Sequence, residues 1–322
     1  MTPPVGLRRD LPRWRHLVNP DWIAALVAGA PVEAAPRGEW RLFEAGHAEL
    51  DAFVEGHIPG AGYLDTTRLE HGPLWNKVLD ADLARLLCEL GIRHDATVVL
   101  YGRNPLAAAR AAHLLLYAGV IDVRLLDGGF DAWRRAGLAL ERGPGQRWPS
   151  METFGAALPA RPGYLVDMAE IRALLAHGEA TLASIRTHAE FMGETSGYRY
   201  IEARGEIPGA VWGRAGLDGD VNSMSAYLDA ASCMKPAGEI AAMWEAAGIV
   251  PARRTVFYCG TGWRASLAFF YAWLMGWERI AVFDGGWCEW SHDPANPTVC
   301  RVSSPPPPSS RAGSSRSTCC RA

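Results

Sequence analysis

Polar and apolar positions along this chain fall into the same order twice. Short apolar runs at 97–101 and 255–259 read as buried strands. Each leads through a short loop into a longer apolar stretch, 106–117 and 265–275, that reads as a helix, and a second strand-like run follows at 123–126 and 280–283. Strand, loop, helix, strand at this spacing is a βαβ unit, which predicts an α/β fold of two tandem domains. Each would be a mostly parallel sheet flanked by helices on both faces. Verbatim echoes support the repeat. Gly56-His57-Ile58-Pro59-Gly60-Ala61 returns as Gly205-Glu206-Ile207-Pro208-Gly209-Ala210, offset by 149. Asp127-Gly128-Gly129 returns as Asp284-Gly285-Gly286, offset by 157, and the growth of eight points to an insertion around 217–233.

The pattern also sets boundaries. Residues 1–15 read as an N-terminal extension, 16–142 as the first domain, 143–162 as a Gly/Pro-rich linker and 163–298 as the second domain. Helices are expected at 22–28, with Asn19, Pro20 and Asp21 as cap and first turn, and at 167–176. Residues 299–322 are Pro, Ser and Arg-rich and read as a disordered tail, with Cys319 and Cys320 incidental to the chemistry.

Composition narrows the function classes. Lys+Arg of 32 against Asp+Glu of 35 leaves a net charge of −3, so no basic field is expected to hold nucleic acid or an anionic membrane. No apolar run reaches the roughly 18 residues of a membrane span. The seven cysteines are odd in number and lack metal-ligand spacing, so neither a disulfide scaffold nor a metal site is expected, and a reducing compartment is. Arg8, Arg9, Arg13 and Arg15 ahead of the apolar stretch 22–30 loosely mimic a secretion signal. The helix cap at 19–21 argues for a cytoplasmic protein instead, with the periplasm as the alternative.

The two copies differ most where strand meets helix. The second reads Tyr258-Cys259-Gly260-Thr261-Gly262-Trp263-Arg264-Ala265-Ser266; the first reads Tyr101-Gly102-Arg103-Asn104-Pro105. A loop leaving the carboxyl end of a parallel strand and opening a helix is where α/β proteins bind ligands. Its N–H groups and the helix dipole can form an anion nest, and a cysteine at its base becomes a nucleophile. Gly260 and Gly262 are expected to supply positive φ angles, and Arg264 a fixed positive charge. A core thiol would need none of these.

These residues resemble tandem rhodanese-type sulfurtransferases, the family of thiosulfate and 3-mercaptopyruvate sulfurtransferases, and look most like bacterial multi-domain members. The resemblance covers residues 16–298. It is carried by both Ile-Pro-Gly-Ala motifs, both Asp-Gly-Gly motifs and the six-residue loop Cys259-Gly260-Thr261-Gly262-Trp263-Arg264. It implies a silent first rhodanese-like domain, with Tyr101 in the place of Cys259, and a catalytic second one. A Cys259 persulfide would carry sulfane sulfur from thiosulfate or 3-mercaptopyruvate to a thiol or cyanide, without a cofactor. Thioredoxin or a cysteine desulfurase would be the protein partner.

The resemblance also implies that Arg199 holds a substrate carboxylate, that Trp263 stands at the pocket mouth and that Asp65 joins Thr261 in a relay. Where a family histidine would complete that relay stands Asn76, and where a second family arginine would stand is Glu190, of opposite charge. Asp65 has a local turn cap as its other reading. Ser184-Ile185-Arg186 resembles a strand-end Asp-x-Arg whose arginine pairs with an acidic residue, and His57 reads as a turn residue. Two other classes compete. A phosphatase of the same fold needs a larger loop, whereas a relay module would receive persulfide from another protein.

Overall fold

The computed structural model describes residues 7–301, and its two halves follow one plan. The first half supplies β1 (Leu17–Val18), β2 (Trp40–Gly46) and β3 (Gly62–Asp65), a hairpin of β4 (Glu70–His71) and β5 (Asn76–Lys77), then β6 (Thr97–Tyr101) and β7 (Asp122–Leu126). The second supplies β8 (Leu165–Val166), β9 (Ala180–Ser184), β10 (Val211–Trp212), β11 (Arg254–Tyr258) and β12 (Ile280–Phe283). The sheet orders are β1-β7-β6-β2-β3 and, read in the same sense, β8-β12-β11-β9-β10. Every pairing in both sheets is parallel; the β4–β5 hairpin is antiparallel, as are the isolated bridges His57–Glu141, Glu206–Val299 and Leu228–Met234. Central strands are buried on both faces, which is why β6 and β11 read as near-continuous apolar runs.

The two expected apolar helices form as Pro105–Ala118 and Trp263–Leu274, and nearly all their residues are buried. A helix that is apolar all round must be covered all round. Here each covers the other across the domain junction, so a single core cluster runs through both halves. Each fully buried Leu or Phe there stabilises by roughly 1.5–3 kcal/mol, which makes the junction part of the fold rather than a hinge.

Several boundaries differ from the sequence reading. The first helix spans Pro20–Val27, because Asn19 accepts from the Trp22 N–H at 2.8 Å and Pro20 fits the first turn. The 143–162 stretch is a strap packed on the first domain. Its Gln146 N–H donates to Ala61 at 2.8 Å, Trp148 packs on Phe43, and Phe154 is buried. Residues 7–15 bind the second domain, Arg8 donating to the Met234 carbonyl at 2.7 Å and Arg13 to that of Trp273 at 2.5 Å. At the other end, residues 299–301 belong to the fold. Val299 and Glu206 exchange backbone hydrogen bonds, and the Arg301 N–H donates to Met192. Residues 302–322, with Cys319 and Cys320, lie outside the described residues.

Candidate active site

Cys259 is the first residue beyond β11 and is fully buried. Both β6 and β11 end on a buried tyrosine tied to an Ile-Pro-Gly-Ala turn. The Tyr101 hydroxyl accepts from the Ile58 N–H at 3.0 Å, and that of Tyr258 bonds Glu206. Tyr258 is therefore the partner of Tyr101, and the first-domain counterpart of Cys259 is Gly102, not Tyr101. The strand stops one residue earlier than the apolar run suggested, because Cys259 already belongs to the loop.

Local geometry explains the loop's composition. Gly262 caps the helix Trp263–Leu274 at φ +90°, a left-handed conformation suited to glycine. Gly260, in contrast, needs space rather than a positive φ. A Cβ there would fall 2.2 Å from a ring carbon of Tyr198. Behind the loop, Trp287 and Cys288 donate to the carbonyls of Cys259 and Gly260 at 2.8 and 2.9 Å. That approach is why the Asp-Gly-Gly motif ends in glycine, since a Cβ on Gly286 would lie 2.5 Å from the Cys259 carbonyl oxygen. The N–H groups of Gly260, Thr261 and Gly262 find no acceptor among the described residues. With the unpaired first turn of the helix, they leave a run of free donors beside the thiol.

Arg264 is buried and engaged on both terminal nitrogens. Nη1 and Nη2 each donate to Glu190 at 2.8 Å, and Nη2 also to the Tyr198 hydroxyl at 2.9 Å. Burial alone would raise the Glu190 carboxyl, but Arg264, with Arg186 beside it, pulls it down to about 2. The expected free charge at Arg264 is thus matched by the very residue whose sign departed from the resemblance. Glu190 is fixed independently by a capping box with Thr187 at the start of the helix His188–Met192. Arg186 is a buried structural group, donating to the Gly205 carbonyl at 2.7 Å and lying 3.4 Å from Glu206.

Next to the loop opens a cavity of about 270 Å³ whose walls include Thr261, Trp263 and Arg264 but not Cys259 itself. The Thr261 hydroxyl lies in hydrogen-bonding reach of the Tyr200 phenol, whose pKa burial pushes up to about 12. The first domain contributes His47, Glu70 and Trp75 to the walls. Glu70 accepts from the Trp263 indole N–H and, at 2.8 Å, from the buried Arg110, which also binds Asp284 at 2.6 Å. Burial pushes the Glu70 carboxyl up, against the pull of Arg110.

Arg199 is not on the cavity wall; it is exposed, with no hydrogen bond or ion pair among the described residues. Its neighbours Tyr198 and Tyr200 line the cavity instead. Asp65 lies elsewhere too, capping a turn by accepting from the Thr67 N–H at 2.9 Å and lining a separate cavity of about 440 Å³ on the first domain. That larger cavity holds no cysteine. Asn76 is near the second domain's Asp-Gly-Gly motif, in hydrogen-bonding reach of Glu289. His57 is buried and stacked on Phe53 at 3.9 Å, a turn residue as read. The sequence reading missed Tyr198 and Tyr200, which flank Arg199 in the bend 197–200 and turn to the cavity while Arg199 does not. Glu70 and Trp75 had no local signal, because their role exists only across the domain junction.

Comparison with known proteins follows the same lines. The sequence model of the rhodanese-like domain matches residues 36–136 and 167–293. Thiosulfate sulfurtransferase YnjE of Escherichia coli (strain K12) is 48% identical over 291 residues, 90% of this chain and 66% of that protein. Its crystal structure superposes with a TM-score of 0.88 over 91% of this chain and 70% of that one. A probable 3-mercaptopyruvate sulfurtransferase of Pseudomonas aeruginosa is 33% identical over 256 residues, 77% of this chain and 85% of that protein. A structure described as the anaerobic ergothioneine biosynthesis enzyme from Chlorobium limicola, in complex with its natural substrate trimethyl histidine, gives a TM-score of 0.87. It is 38% identical and covers 91% of this chain and 72% of that one.

Proposed function

This chain belongs to the rhodanese-like family, and from that premise we propose that it transfers sulfane sulfur through a persulfide on Cys259. The single observation that carries the reading is a cysteine at the strand-to-helix loop, flanked by unpaired N–H groups and the positive end of a twelve-residue helix. Those donors stabilise negative charge on the thiolate and on the persulfide anion alike. The thiolate attacks the sulfane sulfur of thiosulfate or 3-mercaptopyruvate, forming an S–S bond while sulfite or the pyruvate enolate leaves. A thiol or cyanide then takes the outer sulfur and returns the thiolate. Gly260, Gly262 and Thr261 shape the loop, and Trp263 ties it to the silent domain through Glu70.

A second reading concerns the donor. Arg264 is neutralised by Glu190 and Arg199 is off the cavity wall, so neither offers a free fork to a dianion. This supports a relay in which sulfur arrives as the persulfide of another thiol, as from a cysteine desulfurase, and it equally leaves no clasp for a phosphate. The test is mass spectrometry after treatment with thiosulfate, with 3-mercaptopyruvate and with a low-molecular-weight persulfide. About 32 Da should be added at Cys259. Addition at Cys288 or Cys233 instead overturns the assignment, and faster loading from thiosulfate than from the persulfide overturns the relay.

A further inference from the structure

We propose that the cavity beside the loop binds a quaternary ammonium group carried by the molecule that takes the sulfur; this rests on Cys259 being the sulfur carrier. Five rings run round the wall in unbroken contact. Centroids are 5.7 Å apart from Trp263 to His47, 5.8 Å from His47 to Trp75, 5.8 Å from Trp75 to Tyr200 and 5.4 Å from Tyr200 to Tyr198. Ring faces carry partial negative charge and attract a cation that has shed its water; Tyr198 already carries the Arg264 guanidinium 5.6 Å from its centroid, which leaves Trp263, His47, Trp75 and Tyr200 to meet a ligand.

Charge points the same way. Glu70 is buried on this wall and accepts a hydrogen bond on each oxygen, as an ionised carboxylate does. Arg110, its only cationic partner among the described residues, is shared with Asp284, so two carboxylates face one guanidinium. Across the cavity Arg264 is matched by Glu190. An anion therefore meets an excess of negative charge, and a cation meets its complement. Both Glu70 oxygens already hold donors, so a primary ammonium would find few acceptors there, whereas a fully methylated one needs none.

The cage is also held in place rather than incidental. Trp75 stands at φ +62°, a strained conformation for so bulky a residue, in the turn of the β4–β5 hairpin that also carries Glu70. One hairpin of the silent domain thus presents both a ring and the carboxylate to the partner domain's loop.

The test is calorimetric titration of the full chain with choline and with its uncharged tert-butyl analogue, 3,3-dimethylbutanol. Saturable choline binding, about tenfold or more tighter than the alcohol, is expected. Tyr200→Leu should weaken choline about tenfold, while Tyr200→Phe, which keeps the ring, should not. Equal binding of the two compounds, or indifference of choline to Tyr200→Leu, overturns the cage. Persulfide loading of the same wild-type preparation separates the two ideas. Protein that gains sulfur at Cys259 but ignores choline refutes the cage alone. Protein that binds choline but gains no sulfur refutes the carrier reading and supports the cage.

Discussion

The loop after β11 faces a cavity of about 270 Å³, whereas the equivalent loop after β6 faces only about 20 Å³. The same strand, turn and Asp-Gly-Gly motif build both. What separates them is what the other domain puts there. At the second copy, the first domain sends in its β4–β5 hairpin, which furnishes the walls without filling them. At the first copy, the second domain sends in its insertion. Ser232 lines the residual space, Arg135 binds the Ala231 carbonyl, and Asp127 accepts from the Met234 N–H at 2.8 Å. Both Asp-Gly-Gly aspartates therefore reach across the junction, Asp127 to Met234 and Asp284 to Lys77 and Arg110. One intrusion makes a site and the other stops one up.

The comparison breaks most sharply at the nucleophile. Cys259→Ser should abolish sulfur transfer, because an alkoxide cannot carry sulfane sulfur, and the added mass of about 32 Da should vanish. The reciprocal change, Gly102→Cys, should gain no activity. Its Cβ would fall 2.5 Å from the Asn104 carbonyl oxygen in a space already filled. Any persulfide on residue 102 in that variant would show the first site to be open.

Next in size is Glu190→Gln, which leaves Arg264 and Arg186 short of a buried counter-charge. A loss of about 3 kcal/mol in urea unfolding is expected at neutral pH. The Glu190 carboxyl sits at about 2, below its ordinary 4.5, so its contribution is present above about pH 4.5 and lost as pH falls toward 2. The gap between wild type and variant should close over that window. A gap unchanged at pH 3 would mean that the pair is not ionic.

Asp127→Asn probes the plug. Burial raises the Asp127 carboxyl from 3.8 to about 6, with the Met234 N–H pulling the other way. A raised carboxyl favours the fold while protonated, and that benefit is lost as pH rises through 6. The variant, which keeps the acceptor, should melt close to wild type at pH 4 and a few degrees above it at pH 8. Smallest of all, Arg199→Ala should change kcat/KM for either small donor by less than about twofold, since the side chain is exposed and off the cavity wall. A loss of tenfold or more, confined to KM for 3-mercaptopyruvate, would restore it to the site.

Much of the candidate site was legible because it is local. Cys259, Gly260, Thr261 and Gly262 are consecutive, and the change from a strand-like to a helix-like run marks where they must turn. The sequence reading took Glu190 only as a departure from the resemblance, since nothing in that segment points to Arg264, seventy-four residues on. Arg199 misled for a different reason. Its place in the resemblance named the residue, while the bend at 197–200 that leaves it exposed is a property of the folded backbone.

By itself, the sequence determined the duplicated α/β plan and the contrast between a loop that carries a cysteine and glycines and a loop that carries no cysteine. Each depends on periodicity and on which residue types stand in one loop, information carried within about fifteen residues. Only the tertiary structure decided that Arg264 is neutralised, that Glu70, Trp75, Tyr198 and Tyr200 wall the cavity, and that an insertion closes the first site. Those outcomes need groups far apart in the chain to meet across a shared core. A charge or a ring means something different once burial has chosen its partner.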